Sequence, residues 1–225
     1  MKKKFLLLNL LLLLLYSSTY SQFQKGDKVL GGGLNFQSYT NEINSGVIPQ
    51  TNKSTGYGFS AELGIAKKEN RLNGFFVNSG YTISKNEFST QPANNWKSDH
   101  FNAGAGYFTR RYKSLGKSFF VFGEGRAGLN YANQKFPASN ANLTRSYGIN
   151  AGIYPGIAYK LNNRFFLELR LADFVSVGYS QQESTTLPNN KKNIIRNFSF
   201  ASSLGLGYLR DFGIGARWII PTKKK

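Results

Sequence analysis

Eight charged residues stand inside stretches that otherwise alternate apolar and small side chains: Glu62, Arg110, Glu124, Arg126, Glu168, Arg170, Asp211 and Arg217. All eight fall on the small-residue side of the alternation. Four are acids and four are bases, in a chain that carries 29 Lys and Arg against 11 Asp and Glu. A balanced set inside so basic a protein points to ion pairing rather than to surface charge. Charges withdrawn from water must be paired and hydrogen-bonded. A salt-bridge network is therefore expected, centred on Glu124, Arg126, Glu168 and Arg170. Such a network either fills space or gates ions and small solutes, and residue types alone do not separate the two.

Catalysis has one candidate centre. His100 is the only histidine and follows Asp99. Neighbours on a strand point to opposite faces, so Asp99 is poorly placed to orient the imidazole. Glu42 and Glu183 lie in polar stretches without a recognisable constellation around them. The chain has no cysteine, which removes a disulfide framework, a thiol nucleophile and a thiolate metal site. Its glycines lie within alternating stretches, not in a phosphate-cradling loop ahead of a helix. Metal-ligand spacings are absent. No enzyme activity, metal or cofactor is expected.

The elements that position the charges are strands. Over residues 197–220, Phe198, Phe200, Leu204, Leu206, Tyr208, Phe212, Ile214, Trp218 and Ile220 share one face, with Arg210 the main exception. The other face is small and glycine-rich and carries Asp211 and Arg217. Side chains alternate across a strand, which makes this one long strand with a greasy side and a small polar side. Similar alternation covers residues 28–39, 56–66, 72–84, 100–112, 118–131, 146–160 and 164–179. Pro155 removes one ladder hydrogen bond and predicts a bulge or bend. The count is eight. Long polar connections (40–55, 85–97, 132–145, 180–192) alternate with short turns. A large soluble sandwich would place the greasy faces inward. Loop segregation and glycines opposite aromatics fit the wall of a transmembrane barrel better, with apolar faces outward.

The N-terminus agrees. Lys2, Lys3 and Lys4 precede an apolar run over 5–15, and small polar residues follow up to Ser21. That is the layout of a secretory signal peptide, with cleavage expected before Gln22. The run is shorter than the ~20 apolar residues that a spanning helix needs. The expected organisation is a signal peptide over 1–21, a barrel over 22–220 and a basic tail over 221–225. An eight-stranded barrel is only wide enough for its interior side chains to fill it. Tyr107, Tyr159, Phe165 and Trp218, with Phe119, gather near the short turns. Tyr39, Tyr81, Tyr131, Tyr147 and Tyr179 gather towards the long loops. Rings at both levels suit membrane interfaces, where one end of the side chain is apolar and the other tolerates water.

The Ser21–Gln22 junction, the Gly/aromatic strands, and the turn Lys160-Leu161-Asn162-Asn163-Arg164 before Phe165-Phe166-Leu167-Glu168 resemble the outer-membrane β-barrel domain family. That family is similar in architecture to the small OmpA-like and OmpX-like barrels of Gram-negative bacteria. The resemblance covers the chain after its leader and rests on pattern. It implies an eight-stranded antiparallel up-and-down barrel in the outer membrane, often without a defined activity. Its expected partners are outer-membrane lipid or glycolipid and the barrel assembly machinery, with no nucleic acid; the oligomeric state is left open, with a monomer preferred. Such barrels commonly end on an aromatic residue. Here Trp218 is followed by Ile219-Ile220-Pro221-Thr222 and three lysines.

The preferred function is a structural or interaction barrel with a closed interior. The alternatives are a narrow ion or solute channel, and a secreted soluble carrier or nucleic-acid-binding β-protein. Leu169→Arg, on the lipid side, is expected to cost about 2–4 kcal/mol near the bilayer midplane, whereas Ser184→Arg in the fourth connection is nearly silent. Urea midpoints of the two variants in lipid vesicles test this. Equal tolerance would refute the orientation.

Overall fold

A computed structural model describes residues 23–43, 49–88, 95–136, 143–171, 174–186, 191–202 and 212–222. The expected signal peptide, Asp211 and the terminal lysines lie outside them. Among the described residues the chain forms ten antiparallel strands: β1 (Lys28–Ile43), β2 (Gln50–Lys68), β3 (Arg71–Phe88), β4 (Trp96–Ser114), β5 (Phe119–Lys135), β6 (Leu143–Lys160), β7 (Phe165–Leu171), β8 (Val175–Thr186), β9 (Lys191–Ser202) and β10 (Phe212–Ile220).

Sequential strands from β1 to β7 pair as neighbours. β10 then pairs with both β7 and β1, so the ladder returns to its start. This ring has eight members at its lower level. Above it, β6 changes partner from β7 to β8, and β8 pairs with β9. The single strand expected over 164–179 is thus two, β7 and β8. The strand expected over 197–220 is likewise β9 and β10, with 203–211 outside the described residues. Pro155 explains where the wall breaks. It keeps register with Gly123 of β5, without the expected bulge in that ladder. On the opposite edge, β6 pairs with β7 up to Gly156 and with β8 from Ile153 onward. Proline has no N–H to donate, so this edge is where a partner strand can be interrupted at least cost.

The long polar connections are also largely strand. β2 begins at Gln50 and β3 runs to Phe88, which leaves only short stretches between strands. A membrane crossing needs about 9–11 residues of tilted strand, whereas β2 has 19. The surplus forms polar hairpins tied by pairs such as Lys53–Glu87 at 2.9 Å, Ser54–Ser84 at 3.1 Å and Thr144–Ser184 at 3.1 Å. Ser184 therefore lies on β8, not in a loop. Backbone pairing satisfies the N–H and C=O groups of these residues, so a polar sequence with no apolar face still extends as strand.

The opposite end is tight. Asn70, between β2 and β3, has φ 56°, a left-handed conformation that asparagine tolerates. Between β6 and β7, Asn162 Oδ1 accepts hydrogen bonds from the backbone N–H of Arg164 (2.8 Å) and Phe165 (2.9 Å). The segment before β1 and the residues after β10 are fastened together at this level. Asp27 accepts from the N–H of Gln24 (2.8 Å) and of Thr222 (3.3 Å), and the Thr222 hydroxyl donates to the Gly26 carbonyl (2.5 Å).

Burial is inverted relative to a water-soluble domain. Leu34, Leu63, Phe75 and Leu129 are each about two-thirds exposed or more, while Arg110 and Glu124 are 1% and 0% exposed. Inside, large side chains need room, and glycines opposite them provide it. A Cβ on Gly156 would lie 2.2 Å from the Phe122 ring and 2.7 Å from the Leu169 carbonyl. At Gly123, on the outer face, it would meet nothing within 4 Å. Gly156→Ala is expected to destabilise by about 1–3 kcal/mol through overpacking, with Gly123→Ala close to neutral. Chemical unfolding of the two variants in lipid or detergent checks this, and equal midpoints would refute it.

Candidate functional site

Seven of the eight charges singled out from the sequence converge inside the ring. Glu62 comes from β2, Arg110 from β4, Glu124 and Arg126 from β5, Glu168 and Arg170 from β7, and Arg217 from β10. Asp211, the eighth, lies outside the described residues. Local geometry makes this convergence possible. Arg110 and Glu124 are direct cross-strand partners. Gly31 of β1 stands between Glu62 and Arg217 in register. Its missing side chain lets those two reach each other, and a Cβ there would sit 3.3 Å from the Arg217 guanidinium carbon.

The hub is Arg110. Its Nε donates to Glu124 Oε2 (2.5 Å), and its Nη1 donates to Glu168 Oε2 (2.6 Å) and to the Tyr112 hydroxyl (2.9 Å). Nη2 reaches Glu62 at 3.4 Å. Arg217 donates to Glu168 through Nε (2.9 Å) and to Glu62 through Nη2 (2.5 Å). Tyr112 donates to Glu168 Oε1 at 2.7 Å. Arg126 pairs with both Glu124 and Glu62. Arg170 touches Glu62 at 3.2 Å and Glu124 at 3.5 Å, through Nη1 in both cases. The expected centre, Glu124, Arg126, Glu168 and Arg170, is therefore displaced towards Arg110, Glu62 and Arg217. Arg170 is peripheral. Among the described residues, three carboxylates face four guanidiniums, one positive charge in excess.

Below the ions lies an aromatic floor that the charge pattern did not announce. Phe120, Phe122 and Phe166 are buried, and Phe23, just ahead of β1, is fully buried between Tyr112 (5.0 Å between ring centroids) and Phe166 (5.8 Å), whereas buried Phe108 stands level with the ions as the cross-strand partner of Arg126. The guanidinium carbon of Arg110 stands 4.4 Å from the Phe122 centroid, and that of Arg126 stands 4.6 Å from the Phe76 centroid. Rings attract cations through their faces, so Phe122 and Phe76 both support the charges. The available signal was Phe120 and Phe122, two rings on the same side of the alternation as Glu124. Above the ions lies an open cavity of about 510 Å³, whose lining includes Arg126, Arg170, Arg217, Asn78, Asn102 and His100. Asp99 instead lies beside Lys97 (3.4 Å). The structure does not bring Asp99 and His100 together as an acid–base pair.

The aromatic residues named for an interface sit on the outer surface near the tight turns. Tyr107, Tyr159 and Trp218 are exposed and Phe165 is half-buried. Tyr107 packs against Phe75 (5.6 Å) and Tyr159 against Phe119 (4.8 Å), and Phe165 is the cross-strand partner of Trp218. On the hairpins, a hydrogen bond from Lys53 and its charge hold the Glu87 carboxyl below the usual range. That exposed pair contributes little to stability.

No family model matches the sequence, and no curated protein matches it. Among solved structures the chain is similar to the crystal structure of Neisserial surface protein A. The TM-score is 0.38 and the identity 16%, covering 86% of this chain and 97% of that one. A likeness this loose adds nothing to the chain's own geometry.

Removing the hub would leave the buried carboxylates of Glu124 and Glu168 short of a partner. Arg110→Leu is expected to destabilise by about 3–5 kcal/mol, as broken buried pairs do. Unfolding in urea measures it, and a wild-type midpoint would show the network to be dispensable.

Proposed function

We propose that the protein is an integral outer-membrane β-barrel with a closed interior, acting as a structural or interaction element through its long polar hairpins. One observation carries the reading: apolar side chains face outward around the ring while the ions face inward. Water cannot be the solvent such an outer surface is made for, and hydrocarbon can. On β2 the exposed apolar positions run from Tyr57 to Ile65, a span of nine residues. That matches a tilted crossing. Closing the ladder on itself leaves its lower level without the open edge that hydrocarbon forbids. The basic and apolar leader expected at the N-terminus supports export to the cell envelope.

In this reading the tight turns and the fastened segments around Asp27 and Thr222 lie on the periplasmic side and the hairpins on the outer side. The hairpins carry Lys53, Lys85, Lys97, Lys135, Arg145, Lys191, Lys192 and Arg196 against Glu42, Glu87, Asp99 and Glu183. Their cationic excess suits the phosphates of lipid or glycolipid headgroups. The assembly machinery would meet β10, whose Trp218 is the last exposed aromatic before the tail. The plug and the floor favour a closed barrel over a channel.

The expected result is a folded band in the outer-membrane fraction that shifts on a gel only after boiling in detergent, together with no steady conductance in planar bilayers. A soluble, unshifted protein would overturn the membrane reading. A stable single-channel current would overturn the closed interior.

A further inference from the structure

The interior ion cluster carries more cationic charge than its described carboxylates balance, and the surplus faces the cavity. The six carboxylate oxygens of Glu62, Glu124 and Glu168 are all engaged by the four guanidiniums or by Tyr112. Arg217 lines the cavity and is 2% exposed; its Nη1, which has no hydrogen-bond partner among the described residues, is turned towards Gly31, 3.4 Å from where a Cβ there would stand. A buried donor left in that condition costs free energy unless something completes it. Arg170 is held to the cluster through Nη1, and its side chain keeps a quarter of its surface exposed on the cavity side. Around them the described wall residues include amides and hydroxyls, among them Asn78, Asn102 and Ser60, and no carboxylates among the described residues apart from Glu62 and Glu168 of the cluster itself. At about 510 Å³ the cavity is large enough for a small molecule with its water.

We infer that this vestibule is a binding site for a small soluble oxyanion, a phosphate or carboxylate, held by Arg170 with Arg126 and Arg217 beneath it. Guanidinium donors present a planar fork that suits both oxyanion types. The low-dielectric wall strengthens the attraction relative to water. The site lies above the plug, so binding requires no passage through the ring.

The test is calorimetric titration of the folded protein in detergent with inorganic phosphate, and separately with succinate, at constant ionic strength. Saturable one-to-one binding is expected for at least one probe. Arg170→Gln removes the peripheral guanidinium and leaves three carboxylates facing three guanidiniums, so the heat-dependent gel shift should persist. Its affinity should fall at least about tenfold, the scale of one charge-assisted contact. Asn102→Asp, which adds a negative charge to the wall, should weaken binding in the same direction. Absence of saturable binding by a correctly folded wild type would overturn the inference. So would an unchanged affinity in Arg170→Gln. Binding that emerges only in Asp211→Asn would also overturn it, by showing that the chain supplies its own counter-charge. Loss of the gel shift in the wild type would instead refute the barrel reading.

Discussion

Among the described residues, four guanidiniums and three carboxylates packed inside a ring this narrow impose a demanding electrostatic condition. Each ion has lost its hydration, and in a low-dielectric surrounding the loss is tolerable only where opposite charges and hydrogen bonds replace water on nearly every atom. Arg110 meets the condition for the whole assembly. One planar side chain from β4 reaches carboxylates from β2, β5 and β7, which together span much of the ring. The positions of those strands are thereby tied to one another across the interior as well as through the ladder. Such a cluster is weak evidence for added stability, because an apolar core of equal volume can do as well. What it specifies is register: a one-residue slip of any contributing strand would turn its charge to the outside.

The interior is graded along the ring axis. Phe23, Phe120 and Phe166 close the level of the tight turns, Tyr112 and Phe122 join them to Arg110, and the carboxylates lie above. Arg126 and Arg170 border the open cavity. Each layer satisfies the next. The rings take the cation faces, Tyr112 passes a hydrogen bond to Glu168, and Arg170, at the cavity edge, is the most exposed of the four described guanidiniums. The surplus charge thus sits where solutes can arrive.

The hairpins show a different balance. They have no apolar face to bury, and their extension rests on ladder hydrogen bonds, hydroxyl pairs and exposed ion pairs. Their described residues are therefore paired strand and not loop. The tight-turn end is governed by fastening: Asp27 and Thr222 join the segment ahead of β1 to the one after β10, directly beneath the closing pair of strands.

Period-two alternation makes the strands, the inward and outward faces, and the inward grouping of seven charges legible from residue order, because a strand has only two sides. Glycines opposite bulky residues likewise announce a crowded interior. Three features needed the tertiary structure. The polar connections read as loops by composition, yet they extend as strand because neighbouring chains supply their hydrogen-bond partners. The break between β7 and β8 depends on which edge of β6 lacks an N–H, and Pro155 exposes that edge only when its neighbours are known. The hub is Arg110, not the Glu124–Arg170 group, because stagger between strands and the empty place at Gly31 decide which ends of long side chains meet. Sequence determines which side each residue faces. How high it stands on the ring, and therefore what it touches, is decided by the pairing of strands far apart in the chain.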